Sequence, residues 1–325
     1  GVDIITTGTG NNLIIGGAEG DEITGGAGVN IIIGDAGKIT AAAANTDRFG
    51  DLRLTVGRIE TIAPGVGGVD IITTGPTHDI ILGGAAGDTI AAGDGTNLIL
   101  GDDGYIDWVS ADGDPSDIDE AASTTEEDGD RDVIEIGTGP AIVIGGQGGD
   151  EITGGSGNSI IIGDAGKITA AVADTDRFGA LDITLGRVET TADGVGGIDE
   201  ITTGSGNTVI LGGTGGDTIT LGSGTNLVFG DDGFIDWDND LDPADIDLAE
   251  STTTSDGGDD VISIGTGDNL IVGGQGSDTI TGSTTNNVIV GDSGRITAAT
   301  LDSPRFGGLM LTLGRVETIA DGVGG

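Results

Sequence analysis

Carboxylates and amides recur every nine residues through much of this chain. Asp3, Asn12, Asp21 and Asn30 stand nine apart, as do Asp70, Asp79, Asp88 and Asn97, and again Asp260, Asn269, Asp278 and Asn287. Residues 16–33 hold two copies of the pattern: a glycine-rich turn, Asp or Asn in sixth place, then a short apolar strand. Oxygen ligands set on glycine-rich turns suit hard cations rather than catalysis. Calcium takes six to eight oxygens from carboxylates and backbone carbonyls, and glycine reaches the positive φ values that turn carbonyls inward. The chain has no Cys, no Ser–His pair and a single histidine, His78, absent from the equivalent turns. We therefore expect no enzyme, and read His78 as a solvated turn residue.

Composition agrees. Net charge is −44, with 55 acidic against 11 basic residues, which opposes compaction unless cations neutralise it. Nucleic acid and anionic membrane are poor partners for that surface, and no apolar run approaches a membrane span. Aromatics are 2% of the residues, too few for a large globular core, while Ile, Val, Leu and Thr suit strands. The chain opens on Gly1 in mid-repeat and closes on Gly322-Val323-Gly324-Gly325, matching Gly65-Val66-Gly67-Gly68. The expectation is a piece of a longer repetitive protein.

Five modules are expected, each of four nonapeptides, a shortened fifth turn and an insert: 1–68, 69–131, 132–197, 198–259 and 260–325. Inserts 37–68, 166–197 and 294–325 share one sequence type, and 104–131 and 233–259 another. Asp3 to Asp132 and Asp70 to Asp199 are both 129 residues, which predicts inserts that are structured parts of the repeat. A period this short predicts a solenoid whose turns stack on their neighbours.

Gly145-Gly146-Gln147-Gly148-Gly149-Asp150-Glu151-Ile152-Thr153 and Gly273-Gly274-Gln275-Gly276-Ser277-Asp278-Thr279-Ile280-Thr281 fit Gly-Gly-x-Gly-x-Asp-x-(large apolar)-x at every defined place. This pattern resembles the RTX, or hemolysin-type, calcium-binding nonapeptide repeat. The resemblance covers roughly half of the chain; the inserts resemble no family we can name. It implies an all-β, calcium-stabilised parallel β-roll, two nonapeptides per coil, with several Ca2+ ions per chain between stacked turns, in a secreted or cell-surface protein.

With two nonapeptides per coil, alternate turns share an edge. The first edge collects Asp3 with Asp21, Asp70 with Asp88, Asp132 with Asp150, Asp199 with Asp217, and Asp260 with Asp278. The fifth turns add Asp35, Asp102, Asp164, Asp231 and Asp292 to it. All fifteen are candidate metal ligands, because stacked carboxylates repel and raise one another's pKa unless a cation lies between them. The second edge pairs Asn12 with Asn30, Asp79 with Asn97, Ala141 with Ser159, Thr208 with Asn226, and Asn269 with Asn287. Asp79, Asn12, Asn30, Asn97, Asn269 and Asn287 are its candidate ligands, but the expectation there is largely a ladder of amides and hydroxyls.

Strands after the second-edge turns carry three apolar residues in a row, which point to both faces of a sheet. Ile14, Ile32 and Ile99 are expected to fill the roll. Leu13, Ile15, Ile31, Ile33, Leu98 and Leu100 then form an outward strip too large to stay wet, to be covered by an insert or a neighbouring chain. Leu52-Arg53-Leu54-Thr55-Val56, repeated at residues 181–185, alternates like a half-buried strand and is the predicted cover. Ten of the eleven cations lie in these first-type inserts, Arg131 excepted, and are expected to orient insert against roll. Trp108 and Trp237 read as packing anchors. The run Asp236, Asp238, Asp240, Asp242 is expected to be a solvated acidic loop, with a short helix after Pro115 or Pro243.

The function implied is a calcium-binding structural segment of an extracellular stalk, filament or surface-layer protein. Its partners would be calcium, further copies of the repeat in cis and possible neighbouring chains, without nucleic acid or membrane insertion. The alternative is an adhesin module that binds a ligand or ice through the solenoid surface.

Overall fold

The computed structural model describes all residues except 45–47, 125–128, 174–176, 192–194, 241–242, 253–256, 283–284, 301–304 and 320–325. Asp242 and Gly322 to Gly325, read above, lie outside the described residues.

Glycine-rich turns followed by short β-branched strands produce three ten-stranded sheets. Strands after first-edge turns, such as Glu22–Thr24, Ile71–Thr73 and Thr89–Ala92, form parallel sheet I. Those after second-edge turns, such as Asn30–Ile33, Asp79–Leu82 and Asn97–Leu100, form parallel sheet II. Each insert leaves the end of a sheet II strand and makes one hairpin. Gly37–Ala41 with Val56–Thr61 and Gly104–Asp107 with Glu120–Ser123 are the first two. Successive hairpins join edge to edge into antiparallel sheet III. Both insert types contribute to it.

The roll runs unbroken beneath the inserts. Glu22 pairs with Ile71 across the first insert and Thr89 with Val133 across the second. Each module adds two strands to every sheet, so at about 4.8 Å per strand the three sheets lengthen in step. That common pitch explains why an insert follows every four nonapeptides.

Two apolar layers result. Between sheets I and II lies a column including Ile23, Ile72, Ile90, Ile32, Ile81 and Ile99, each with no exposed surface. Ile14 joins it at 6% exposure. Between sheets II and III lie Ile31, Ile33, Leu98 and Leu100, packed with Ile59, Ile106, Ile168 and Val188. Leu13 is partly buried against this layer, and Ile15 keeps 38% exposure. The outward strip is therefore covered in cis by the inserts except on the first coil, where Ile15 stays exposed and Leu13 is only partly covered. Trp108 and Trp237 are buried in the same layer.

Three expectations need correction. Residues 52–55 are not a strand: Gly50, at φ 56°, opens a turn that closes as Phe49 N–H donates to the Leu54 carbonyl at 2.9 Å. The insert strand starts at Val56. A loop that tucks in alternate apolar side chains looks like a strand over five residues, and Leu181 and Ile183 are indeed buried. No helix follows Pro115, which sits in a turn, and no helix occurs among the described residues. None is thus long and apolar enough to cross a membrane.

The cations of the first-type inserts, finally, make no ion pair with the roll among the described residues. They run across the outer face of sheet III: Lys38 to Glu60, Arg58 to Glu60 and Asp107, Lys167 to Glu120, Arg187 to Glu189 and Asp236, and Arg295 to Glu250. Arg58 also stacks on Tyr105, and Arg187 on Phe234, each 3.7 Å from the ring centroid. These pairs are half-exposed and contribute little singly. Arg58→Met is expected to cost about 1 kcal/mol or less in urea unfolding.

Candidate metal edge

On the first edge the sixth-position aspartates form one uninterrupted ladder. The backbone N–H of each donates to Oδ1 of the next: Asp3 to Asp21, Asp21 to Asp70, Asp70 to Asp88, Asp88 to Asp132, and so on to Asp260 and Asp278. All nine steps measure 2.6–3.1 Å. The order Asp132, Asp150, Asp199, Asp217, Asp260 completes it. Partners 43 to 49 residues apart across an insert bond as well as those 18 apart within a module.

The other oxygen is left over. Oδ2 of Asp21, Asp70, Asp88, Asp132, Asp150, Asp199, Asp217, Asp260 and Asp278 is buried without any donor. Each lies beside a glycine carbonyl. A Cβ added to Gly34 would overlap Asp70 Oδ2 and the Gly83 carbonyl oxygen, and one on Gly101 would overlap Asp132 Oδ2 and the Gly145 carbonyl oxygen. The same holds at Gly163, Gly212 and Gly230. Two kinds of acceptor thus converge: the carbonyls of Gly34, Gly101, Gly163 and Gly230 each accept one backbone N–H, but no donor reaches any Oδ2. A buried acceptor without a partner is costly, and a cation placed between them satisfies both oxygens while the carboxylate stays ionised.

The electrostatics point the same way. Burial first, then neighbouring aspartates, push the ladder carboxyls up: Asp70 to about 7, Asp88 to about 9, Asp150 to about 8, Asp217 to about 9 and Asp260 to about 8. Asp132 is raised well above the carboxylate range by the same causes. Among the described residues no three acidic or histidine side chains converge on a point. A cation here would be held by one or two ladder carboxylates and by glycine carbonyls, a donor set that fits calcium.

The fifth-turn aspartates sit beside this ladder in a different arrangement. Asp35 accepts from Ala85 N–H at 2.7 Å and Gly68 N–H at 3.2 Å. Asp164 accepts from Gly197 and Thr214, and Asp231 from Gly258 and Gln275. Each carboxylate ties the returning insert to the next coil. The glycines packed on them, Gly84, Gly146, Gly213 and Gly274, have φ of 112–119° and no room for a Cβ. Asp102 accepts from Gln147 N–H, and its Oδ1 is buried and unpartnered. Asp3 is exposed on the first coil, and Asp292 is half-buried on the last.

On the second edge amides bond one another. Asn12 donates to Asn30 Oδ1 at 2.7 Å, Asn30 to Asp79 Oδ1 at 2.8 Å, Asn226 to Asn269 at 2.7 Å, and Asn269 to Asn287 at 3.0 Å. Asn97 accepts from Asp79 N–H. His78 is half-buried rather than solvated, and its Nδ1 accepts from Thr96 N–H.

Reading the residues alone missed which oxygen of each ladder aspartate is left without a donor and the insert-tying use of the fifth-turn aspartates. The second had a signal: in those turns the Asp is followed two places on by Gly, not by an apolar strand residue.

A family model, the RTX calcium-binding nonapeptide repeat (4 copies), matches residues 6–38, 64–105, 144–167, 193–234 and 263–295, over half of the chain. A search of curated proteins finds no match. The matched stretches carry most of the turns and strands of sheets I and II, though not Val133–Ile136 or all of Ala141–Ile144, while most of sheet III falls outside them. With its repeats placed in parallel coils and its aspartates in one ladder, the chain belongs to the RTX calcium-binding nonapeptide repeat family.

Proposed function

We propose that this chain is a calcium-folded structural segment of an extracellular or cell-surface protein, serving in a stalk, filament or surface layer. The single observation that carries this reading is the row of nine buried, donorless Oδ2 atoms, each facing a glycine carbonyl. Asp21, Asp70, Asp88, Asp132, Asp150, Asp199, Asp217, Asp260 and Asp278 would hold the ions. Bound calcium supplies the positive charge that lets these carboxylates stay ionised while buried. The chain's own part is to hold them there: the Oδ1 ladder sets their spacing, and the glycines leave the space. The unbroken sheets and the absence of hinge segments between modules, among the described residues, suit a rod that bears load along its axis. The five module boundaries remain our proposal for the repeat unit.

A second reading, an adhesin that binds a ligand or ice, is favoured by the uncovered face of sheet I. Thr6, Thr24, Thr73, Thr153, Thr202, Thr220, Ser263 and Thr281 share one register column there. Glu135 and Ala91 interrupt it. Retarded ice growth by the folded chain would favour this reading.

Circular dichroism during a calcium titration, with sedimentation on the same samples, tests the leading one. The expected result is a cooperative gain of β signal and a compact, elongated monomer. Growth into large species on calcium addition would favour a self-assembling filament. A fold indifferent to chelator would sink the calcium mechanism.

A further inference from the structure

The two edges of the roll meet the same requirement by different chemistry. At each stacked turn, glycine carbonyls face the space beside the sixth-position side chain. On the first edge that side chain brings a second acceptor, Oδ2, and the site lacks a donor. On the second edge it brings a donor. Asn30 Nδ2 donates to the Gly28 carbonyl at 2.8 Å and lies 3.1 Å from that of Gly26. Asn97 Nδ2 donates to the Gly93 carbonyl at 2.8 Å, and Asn269 Nδ2 to that of Gly267 at 2.7 Å. The remaining amide hydrogens of Asn30, Asn226 and Asn269 go to the next ladder side chain.

A primary amide carries two N–H donors on one nitrogen, so it satisfies carbonyl and neighbour together without bringing charge into the interior. A cation entering there would have to break these hydrogen bonds and would find no carboxylate. Calcium affinity falls with the charge of the ligand set. Where the amides stop, Ala141 and Ser159 supply neither charge nor amide, and the backbone bonds instead: Ser159 N–H donates to the Asn207 carbonyl at 3.1 Å. Asp79 is the single second-edge carboxylate at a sixth position, and its Oδ2 is buried without a donor.

We propose that the second edge binds no calcium wherever Asn stands, because the Asn side-chain nitrogen takes the place of the cation among the turn carbonyls. The chain is then a one-edged calcium solenoid, and the sixth-position residue selects ion or amide at each stack. This rests on the calcium reading of the first edge.

Equilibrium dialysis of the whole chain against calcium counts the ions. The wild type is expected to hold close to the nine ions its first-edge Oδ2 atoms provide for, plus at most one at Asp79. Asn226→Asp is expected to gain about one ion and Asp88→Asn to lose about one while keeping its β signal, as an amide replaces the cation. A wild-type count near twice nine, or an Asn226→Asp chain that folds without gaining an ion, would overturn the proposal. If Asn226→Asp does not fold even in calcium, the wild-type count and Asp88→Asn decide. A count of zero would sink the calcium reading itself, which is a different result from a doubled count.

Discussion

Stripped of calcium, the chain is expected to be unfolded at neutral pH and to regain β structure as the pH is lowered. The ladder carboxyls from Asp70 to Asp278 have folded-state pKa values raised above the unfolded 3.8, to about 7 for Asp70 and about 9 for Asp88, chiefly by burial. Between the unfolded and folded values the folded state binds more protons. The stability of the metal-free fold therefore falls as pH rises through that window and is greatest near or below pH 3.8. One group shifted like Asp70 costs about 4 kcal/mol at pH 7, at 1.36 kcal/mol per unit. Two or three such groups match the roughly 5–15 kcal/mol that holds a typical domain together. Burying these carboxylates in charged form, with repulsion between neighbours as the smaller part, thus outweighs the two apolar layers unless protons or calcium intervene. Far-UV circular dichroism in chelator from about pH 8 down to about pH 4 checks this across the titration range. A chelated chain whose β signal is flat over that range, or strongest at the alkaline end, would refute the electrostatic account.

Gly101→Ala should be among the most damaging substitutions of a single methyl group in this protein. Its Cβ would overlap both Asp132 Oδ2 and the Gly145 carbonyl oxygen, so it fills the cradle and pushes on backbone in the middle of the stack. Neither neighbour can swing away, because Asp132 is held by its Oδ1 and the Gly145 N–H by the Ile162 carbonyl. Replacing glycine by alanine elsewhere stabilises by about 0.4–1 kcal/mol through the unfolded chain. Overpacking costs about 1–3 kcal/mol, toward the upper end here because backbone is among the atoms overlapped, and the overlap wins. Loss of one ion from the calcium count should accompany it. Gly10→Ala is the control: nothing lies within 4 Å of its added Cβ, and a change within about 0.5 kcal/mol is expected. Urea unfolding of both variants in saturating calcium is the measurement. Equal midpoints for Gly101→Ala and the parent would refute the cradle.

Much of this was legible in the residues. The nine-residue spacing from Asp3 to Asn30 sufficed for a solenoid of stacked turns, and the resemblance to the nonapeptide repeat family added the parallel roll. Ile32 and Ile99 were readable as core because alternation along a strand is local. The outward strip of Ile31, Ile33, Leu98 and Leu100 demanded a cover by the same logic. What was not legible lay in the inserts. Residues 52–55 and 181–184 show strand alternation, yet they are loops whose apolar side chains happen to face inward. The arginines could be seen to need carboxylates but not which ones: Arg58 reaches Asp107, 49 residues away, only because successive hairpins pair.

By itself, then, the sequence determined the repeat and the calcium-suited chemistry, which follow from residue type and short-range spacing, while the two-edged sorting of Asp and Asn followed once the resemblance supplied two nonapeptides per coil. The tertiary structure decided the rest. It made one Asp oxygen a rung and left the other without a donor. It turned the fifth-turn aspartates such as Asp35 and Asp164 into ties for the inserts, and built the third sheet in step with the first two. These outcomes depend on atoms brought together from 18 to 50 residues apart. Their partners are set by the common pitch of the stacked sheets, which no local pattern encodes.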